Sequence, residues 1–460
     1  MLQLWGHFIL SVTKLYSLDA LAPKLASLFM PYAECSGKKK DTILLANVRY
    51  GLSAEGSTAA IVENLAEEIQ NAGGIEVQVF STYTDLHDPF GTLRRYGWHG
   101  VNVWAVNIAT VNWGWSDAGI RQIFARVLKL VSPKLVHFHS IQTLGMDMCL
   151  ECIERKIPYF VTMHDGWWIC ARKFLTDTRG RWCGEKVPSG TMCRVKCGVS
   201  NCDFFRKRHL AQYILRNAQK VWTPTDYFTD LIQRSFPTVV VHTMRNGIPQ
   251  SARAAVTRAQ GQRGAGGRIV LGFAGGRNED AGYFFLRDCI LSLGKDLDNF
   301  RLVLLDSARK NSAASGMGRD DWPLGTQFAS PDSDGGMQDF FSRIDVLLYP
   351  PLRKELFGLT VSEAVSSGVF VVCSSCGGPA EAVRENENGL IFPTGDRKGF
   401  MECLRLLIKR KESVRSYKAR NSGDFRTFRK QAHELLSEFA SAGSAGQEGA
   451  PEAPESAGSR

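Results

Sequence analysis

No apolar run in this sequence reaches the roughly 18 residues that a bilayer-spanning helix needs, so no transmembrane helix is expected. The early positive charge of a signal peptide is also missing, because the first basic residue after His7 is Lys14. Both absences make the cytoplasm the expected compartment. There the twelve cysteines would stay mostly reduced, and disulfides are not expected. Acid is the scarcer charge, with 46 Asp and Glu against 56 Lys and Arg and a net charge of +10. That balance suits acidic partners such as nucleotide phosphates, an anionic lipid surface or nucleic acid, without choosing among them. A hydrophobic content of 44% excludes a largely disordered chain, and 460 residues suggest two or three domains.

What is present is a repeating strand-helix pattern. Residues 1–40 form a leader in which Leu2, Trp5, Phe8, Ile9 and Val12 have helical spacing, and Lys38-Lys39-Lys40 ends it. From Asp41 to residue 250 the pattern predicts a first α/β domain. Its strands are expected at Thr42–Ala46, Val77–Phe80, Leu135–His139, Tyr159–Thr162, Val221–Pro224 and Val239–His242, with helices between them. Gly56 in the first strand-helix loop is a candidate for close phosphate approach, although turn geometry alone accounts for many such glycines. His164 and Asp165 follow a strand at its carboxyl end, the edge where ligands bind in open α/β sheets. His139 sits similarly and reads as a hydrogen-bonded loop residue. Eight of the ten tryptophans lie between Trp98 and Trp222, and one or two of them are expected to face a ligand groove.

Residues 170–205 interrupt the pattern with Cys170, Cys183, Cys193, Cys197 and Cys202. Such clustering suggests structural zinc on Cys183, Cys193, Cys197 and Cys202, with reduced thiols as the alternative, since the spacing is not a pair of C-x-x-C knuckles. Residues 251–266 read as a polar linker, and 267–425 as a second α/β domain that starts with Ile269–Ala274. A terminal helix is expected over 426–440, and the Gly, Ala, Ser, Glu and Pro of 441–460 read as a disordered tail. Basic residues cluster between Arg405 and Lys430; a solvated helix face is the plain reading and contact with anionic lipid the sharper one.

The chain is organised around 350–364. A buried strand ends at Pro350-Pro351, and a short helix is expected from Val361 to Ser367. Glu355 and Glu363 thus lie eight positions apart across a loop-to-helix junction. Backbone N–H groups of Gly358, Leu359 and Thr360 would open the helix and offer a seat for phosphate. Thr360 to Glu363 also fits a capping box, and the two readings are compatible.

These residues resemble the E-x7-E element of the family 4 retaining glycosyltransferases. The likeness continues through Gly368, Gly377-Gly378 and Glu381, the turn Asn246-Gly247, and Phe273-Ala274-Gly275. The segment from Met163 to Trp168 and the cysteine insert are similar to enzymes of exopolysaccharide assembly. The resemblance implies an α/β, GT-B fold, with two Rossmann-like domains facing each other across a cleft. It implies that Glu355 contacts hydroxyls of a donor sugar, Glu363 the ribose of its nucleotide, the amides of Gly358, Leu359 and Thr360 its diphosphate, and His164 the sugar. Arg277 completes the implied donor set, to which the reading of the first strand-helix loop adds Gly56. The implied partners are a nucleotide-diphosphate sugar, a saccharide or lipid-linked acceptor and the inner face of a membrane, with no nucleic acid. No cofactor is required for catalysis.

The sequence departs from that family at two points. Gly276 and Ala281 stand where an Arg and a Lys usually contact the diphosphate, and Arg277 is displaced by one residue. This leaves open a non-catalytic subunit that binds a nucleotide sugar, or a sugar-nucleotide epimerase of the same fold.

Overall fold

The computed structural model describes residues 40–54, 56–108, 114–179, 182–184, 187–249, 267–305, 322–323, 325–329, 336–415, 417 and 426–445. The expected leader, linker and most of the tail lie outside these residues. Val161–Gln431 form one compact unit, and the remaining described residues form another.

Strands β1 (Asp41–Ala46), β2 (Ile75–Tyr83), β3 (Leu93–Trp98), β4 (Val101–Asn107), β5 (Leu135–Phe138), β6 (Tyr159–Thr162), β7 (Lys220–Thr223) and β8 (His242–Thr243) form a sheet of order β3-β4-β2-β1-β5-β6-β7-β8. Its ladders β1–β2, β1–β5, β2–β4 and β7–β8 are parallel. β1 and β5 are buried almost throughout, the composition a parallel strand covered on both faces requires. β3 pairs antiparallel with β4 at the edge.

Helices α1 (Ser57–Ala72), α2 (Ala118–Val131) and α3 (Asp147–Glu154) come before β6; α4 (Gly190–Cys197), α5 (Asn201–Asn217) and α6 (Asp226–Ser235) come after it. In α1, buried Ile61, Leu65 and Ile69 recur at the expected helical spacing. The cysteine insert is therefore partly helical, since it contains α4 and the start of α5.

Strands β9 (Ile269–Phe273), β10 (Phe300–Leu305), β11 (Gln327–Ala329), β12 (Val346–Tyr349), β13 (Phe370–Ser374) and β14 (Gly389–Phe392) form a second sheet of order β11-β10-β9-β12-β13-β14, and every described ladder in it is parallel. This is the doubly wound order in which β9 and β12 flank the point where the winding reverses. Helices α7 (Tyr283–Leu291), α8 (Gly336–Arg343), α9 (Leu359–Ser366), α10 (Arg397–Lys409), α11 (Lys411–Arg415) and α12 (Phe428–Ala445) complete the fold. Two core clusters lie on this sheet. One includes Leu286, Phe392, Phe400 and Leu404, and the other Phe340, Phe341, Val361 and Val365.

Several expectations are corrected. The strand expected at Val239–His242 is only His242–Thr243, because Pro237 leads a turn closed by Val239 N–H donating to Phe236 O. The piece around Asn388 is not a hairpin: β14 pairs parallel with β13. The terminal helix runs to Ala445, into the stretch expected to be disordered.

Candidate active site

The winding reversal brings the loops after β9 and β12 side by side. Leu352 N–H donates to Asp280 O at 2.9 Å, and Gly282, at φ +85°, lies so close to Pro350 O that a Cβ there would sit 2.1 Å from it. Only glycine fits that approach. The second loop then folds under a third. Glu355 N–H donates to Cys376 O, and Gly378 N–H donates to Glu355 O, both at 2.9 Å.

Glu355 itself is held by its neighbour Arg353, whose Nε lies 2.8 Å from Glu355 Oε1. The guanidinium lies 4.8 Å from the centre of the Phe174 ring and 3.9 Å from Asp280 Oδ2. Burial pushes the Glu355 carboxyl up, and Arg353 opposes that shift. Lys354 turns away, donating to Ser375 O at 3.0 Å and lying 4.9 Å from the Trp182 ring.

α9 begins at Leu359, with Gly358 as its cap residue and no side-chain cap bond. The capping box expected at Thr360 is thus not formed; Thr360 is the second residue of the helix, one position too late to cap it. Gly358, Leu359 and Thr360 do occupy the opening of the helix, where main-chain N–H groups lack intrahelical acceptors. Glu363 lies one turn further on, and burial pushes its carboxyl up to about 7.

The segment after β6 approaches the same loop. A Cβ on Gly166 would lie 3.7 Å from Leu356 Cδ1. Asp165 accepts from Trp167 N–H at 2.9 Å and pairs with Lys173 at 3.1 Å. Buried Lys207 donates to the carbonyls of Trp167 and Cys170 and underpins the turn. Burial, with Lys173 nearby, holds His164 down to about 3, so its ring is neutral at physiological pH. Of the tryptophans here, Trp167 and Trp168 are core, whereas Trp182 is 43% exposed.

The loop from Gly275 to Gly282 explains the departure at Gly276 and Ala281. Gly276 has φ +59°, a conformation costly for arginine, and Ala281 packs against the core. Arg277 is exposed. Gly56 caps α1 at φ +84° with open space beside its Cα. Sequence reasoning missed Arg353, Lys173 and Phe174; the signal for Arg353 was its place two residues before Glu355.

The proposed metal ligands do not fit a metal. Cys193 and Cys197 lie on α4 and Cys202 is exposed on the first turn of α5. Among the described residues no group of three or more His, Cys, Asp or Glu is arranged to hold an ion, and no disulfide is formed.

Comparison with known proteins identifies the family and the fold. Residues 273–422 match the family described as "Glycosyl transferases group 1", and residues 56–247 match "Glycosyl transferase 4-like domain". Those matches and the two largely parallel sheets define a glycosyltransferase of the GT-B fold. The chain belongs to the family 4 glycosyltransferases. It is 29% identical over 119 residues to a D-inositol 3-phosphate glycosyltransferase of Saccharomonospora viridis, a match spanning 25% of this chain and 27% of that one. Among solved structures, a glycosyltransferase of Rickettsia africae superposes with TM-score 0.60 at 11% identity, over 87% of this chain and 98% of that one. Anabaena Alr3699/HepE in complex with UDP and glucose gives 0.59 at 14%, over 87% and 100%. The catalytic domain of Arabidopsis thaliana starch synthase IV, bound to ADP and acarbose, gives 0.58 at 13%, over 88% and 99%. At these identities the likeness is one of fold. No helix among the described residues is long and apolar enough to cross a membrane.

Proposed function

We propose that this protein is a retaining glycosyltransferase that moves a sugar from a nucleoside-diphosphate sugar to a saccharide or lipid-linked acceptor in exopolysaccharide assembly. The observation that carries the reading is Glu355, held by Arg353 at the winding reversal beside the opening turn of α9. In this reading Glu355 accepts hydrogen bonds from donor-sugar hydroxyls. Neutral His164 contacts the sugar from the end of β6, and Glu363 takes the ribose hydroxyls. The amides of Gly358, Leu359 and Thr360 face the diphosphate, and Arg277 completes the donor contacts. The departing phosphate accepts the acceptor's proton on the face it leaves, so the chain supplies positioning and charge stabilisation and needs no separate base. Exopolysaccharide assembly rests on the sequence resemblance, and peripheral attachment on the basic residues between Arg405 and Lys430.

The experiment is a transfer assay with UDP-, ADP- and GDP-sugars. Glu355→Gln should lower turnover roughly 10²–10³-fold, the scale for losing one preorganised polar contact. Undiminished turnover would remove the assignment. A non-catalytic nucleotide-sugar binder is the second reading, favoured by the left-handed Gly276 and the core-packed Ala281. Thermal stabilisation by a nucleotide sugar without any transfer or hydrolysis would decide for it. An epimerised sugar nucleotide, formed without acceptor, would decide for the epimerase.

A further inference from the structure

A second pocket lies within the Val161–Gln431 unit, on the side of α9 that carries Ser362 and Val365. Its volume is about 520 Å³, inside the roughly 300–1,000 Å³ of small-molecule sites. None of the residues in the proposed donor set lines it.

The pocket's lining includes Asn246, which is 5% exposed. Neither Oδ1 nor Nδ2 of that amide has a hydrogen-bond partner. A buried amide without partners is costly, and folded proteins satisfy nearly all such groups. The N–H groups of the next two residues are engaged elsewhere. Gly247 N–H donates to Gln431 Oε1 at 2.7 Å and Ile248 N–H to Arg426 O at 2.9 Å. The turn is thus fixed on its far side, and the unused amide belongs to the pocket.

The rest of the lining indicates the class of ligand. Three guanidinium groups, of Arg245, Arg384 and Arg426, are matched by three carboxylates, of Asp226, Glu381 and Glu387. Arg245 spans Asp226 at 2.6 Å and Glu381 at 2.9 Å, and Arg384 meets Glu387 at 3.2 Å. The charges cancel, so no net field favours an anion. Paired planar polar groups, with the Phe357 and Tyr417 rings beside them, suit the hydroxyls and apolar face of a neutral sugar.

We propose that this pocket is a second saccharide site, which binds a neutral sugar unit through the Asn246 amide independently of the donor residues. Bound there, one unit of a glycan would stay tethered to the protein through successive transfers.

The test is saturation-transfer NMR on the full chain with glucose, galactose, mannose, N-acetylglucosamine, maltose and cellobiose. At least one should receive saturation, and should keep it when UDP, ADP or GDP is added and in Glu355→Ala. Asn246→Leu should weaken it at least tenfold while melting no lower than the native protein, because the substitution removes a buried group without partners. Arg384→Ala, at an exposed position, should weaken it several-fold and guards against misfolding of the first variant. Absence of any sugar signal would overturn the proposal, as would a signal unchanged in both variants or one lost in Glu355→Ala. Thermal protection by inorganic phosphate or pyrophosphate that depends on Asn246, with no sugar bound, would make this an anion site and also overturn it.

Discussion

Arg353 donates through Nε to Glu355 Oε1 at 2.8 Å while its guanidinium faces the Phe174 ring at 4.8 Å. The ring covers one face of the cation and the carboxylate takes its edge, so Glu355 has little rotational freedom. Removing a charge-assisted hydrogen bond costs about 1.5–3 kcal/mol, or roughly 10–150-fold if the loss is felt in the transition state. Arg353→Ala should lower kcat within that range, with Arg353→Lys between it and the native enzyme. Because Arg353 opposes the upward shift of Glu355, its loss should also move the acidic limb of the kcat/KM profile to higher pH. A lower rate on an unmoved limb would reduce Arg353 to a structural role.

Glu363 makes stability depend on pH in an unusual direction for a carboxylate. Burial pushes its pKa up to about 7 from the ordinary 4.5. Below the unfolded value both states are protonated and burial costs nothing. Between the two values the unfolded chain ionises first, so stability falls as pH rises, and the full penalty is present above about 7. Glu363→Gln should be neutral near pH 4 and stabilising at pH 8 by on the order of 2 kcal/mol, after a discount for partial exposure. Urea unfolding at both pH values would show it, and equal differences would refute the assignment.

His164 acts at the other end of the scale. Its pKa is held down to about 3, so the folded state resists protonation that the unfolded chain accepts below about 6.5. Stability is unaffected above that value and declines as pH falls below it. His164→Asn should remove about 2 kcal/mol of the loss between pH 7.5 and 5, at roughly 1.4 kcal/mol per pH unit. Denaturant titrations in which both proteins lose the same amount would contradict this.

Gly377 separates strain from collision. At φ +118° a Cβ would lie 2.6 Å from Glu355 O and 2.8 Å from Tyr227 Cε1. Gly294 also has positive φ, +57°, but a Cβ there would meet nothing within 4 Å. Gly294→Ala should cost about 1–2 kcal/mol from backbone strain alone. Gly377→Ala should cost clearly more and displace Glu355, so that melting temperature and turnover fall together. Comparable melting losses in the two variants would mean that the loop accommodates the methyl group.

Much of this architecture is readable in the chain because parallel strands are short continuous apolar runs, as in Val346–Tyr349 and Phe370–Ser374. The junction from Glu355 to Glu363 is readable for the same local reason: a strand, a glycine and a helix in sequence. The β3–β4 hairpin was hidden because its edge strand carries Arg94, Arg95 and Tyr96 and turns at His99 and Gly100, both at positive φ. The Lys173 and Phe174 contributions were hidden for a different reason. They reach the site through a loop from elsewhere in the chain, and no periodicity records such an approach. Spacing along the sequence does not reveal that Cys193 and Cys197 share one helix while Cys202 opens the next.

Glu381 binds the start of α6 by accepting from the amides of Asp226 and Tyr227 at 3.1 and 2.6 Å, and it also pairs with Arg245. The helix opening is therefore capped by a carboxylate from a distant loop. Such a contact has a place in the helix-end chemistry that sequence alone assigns only to near neighbours.

The Asn246-Gly247 turn has a temporal side. The N–H of Gly247 finds its acceptor in Gln431, 184 positions later. At roughly 5–20 residues per second, a ribosome adds that length in about 10–40 s. For that interval the nascent chain holds both β7 and β8, which pair with each other, but lacks the acceptor for the turn that follows them. The turn closes only once Gln431 has been made, so a message cut short before that codon yields a product in which this N–H never meets its acceptor.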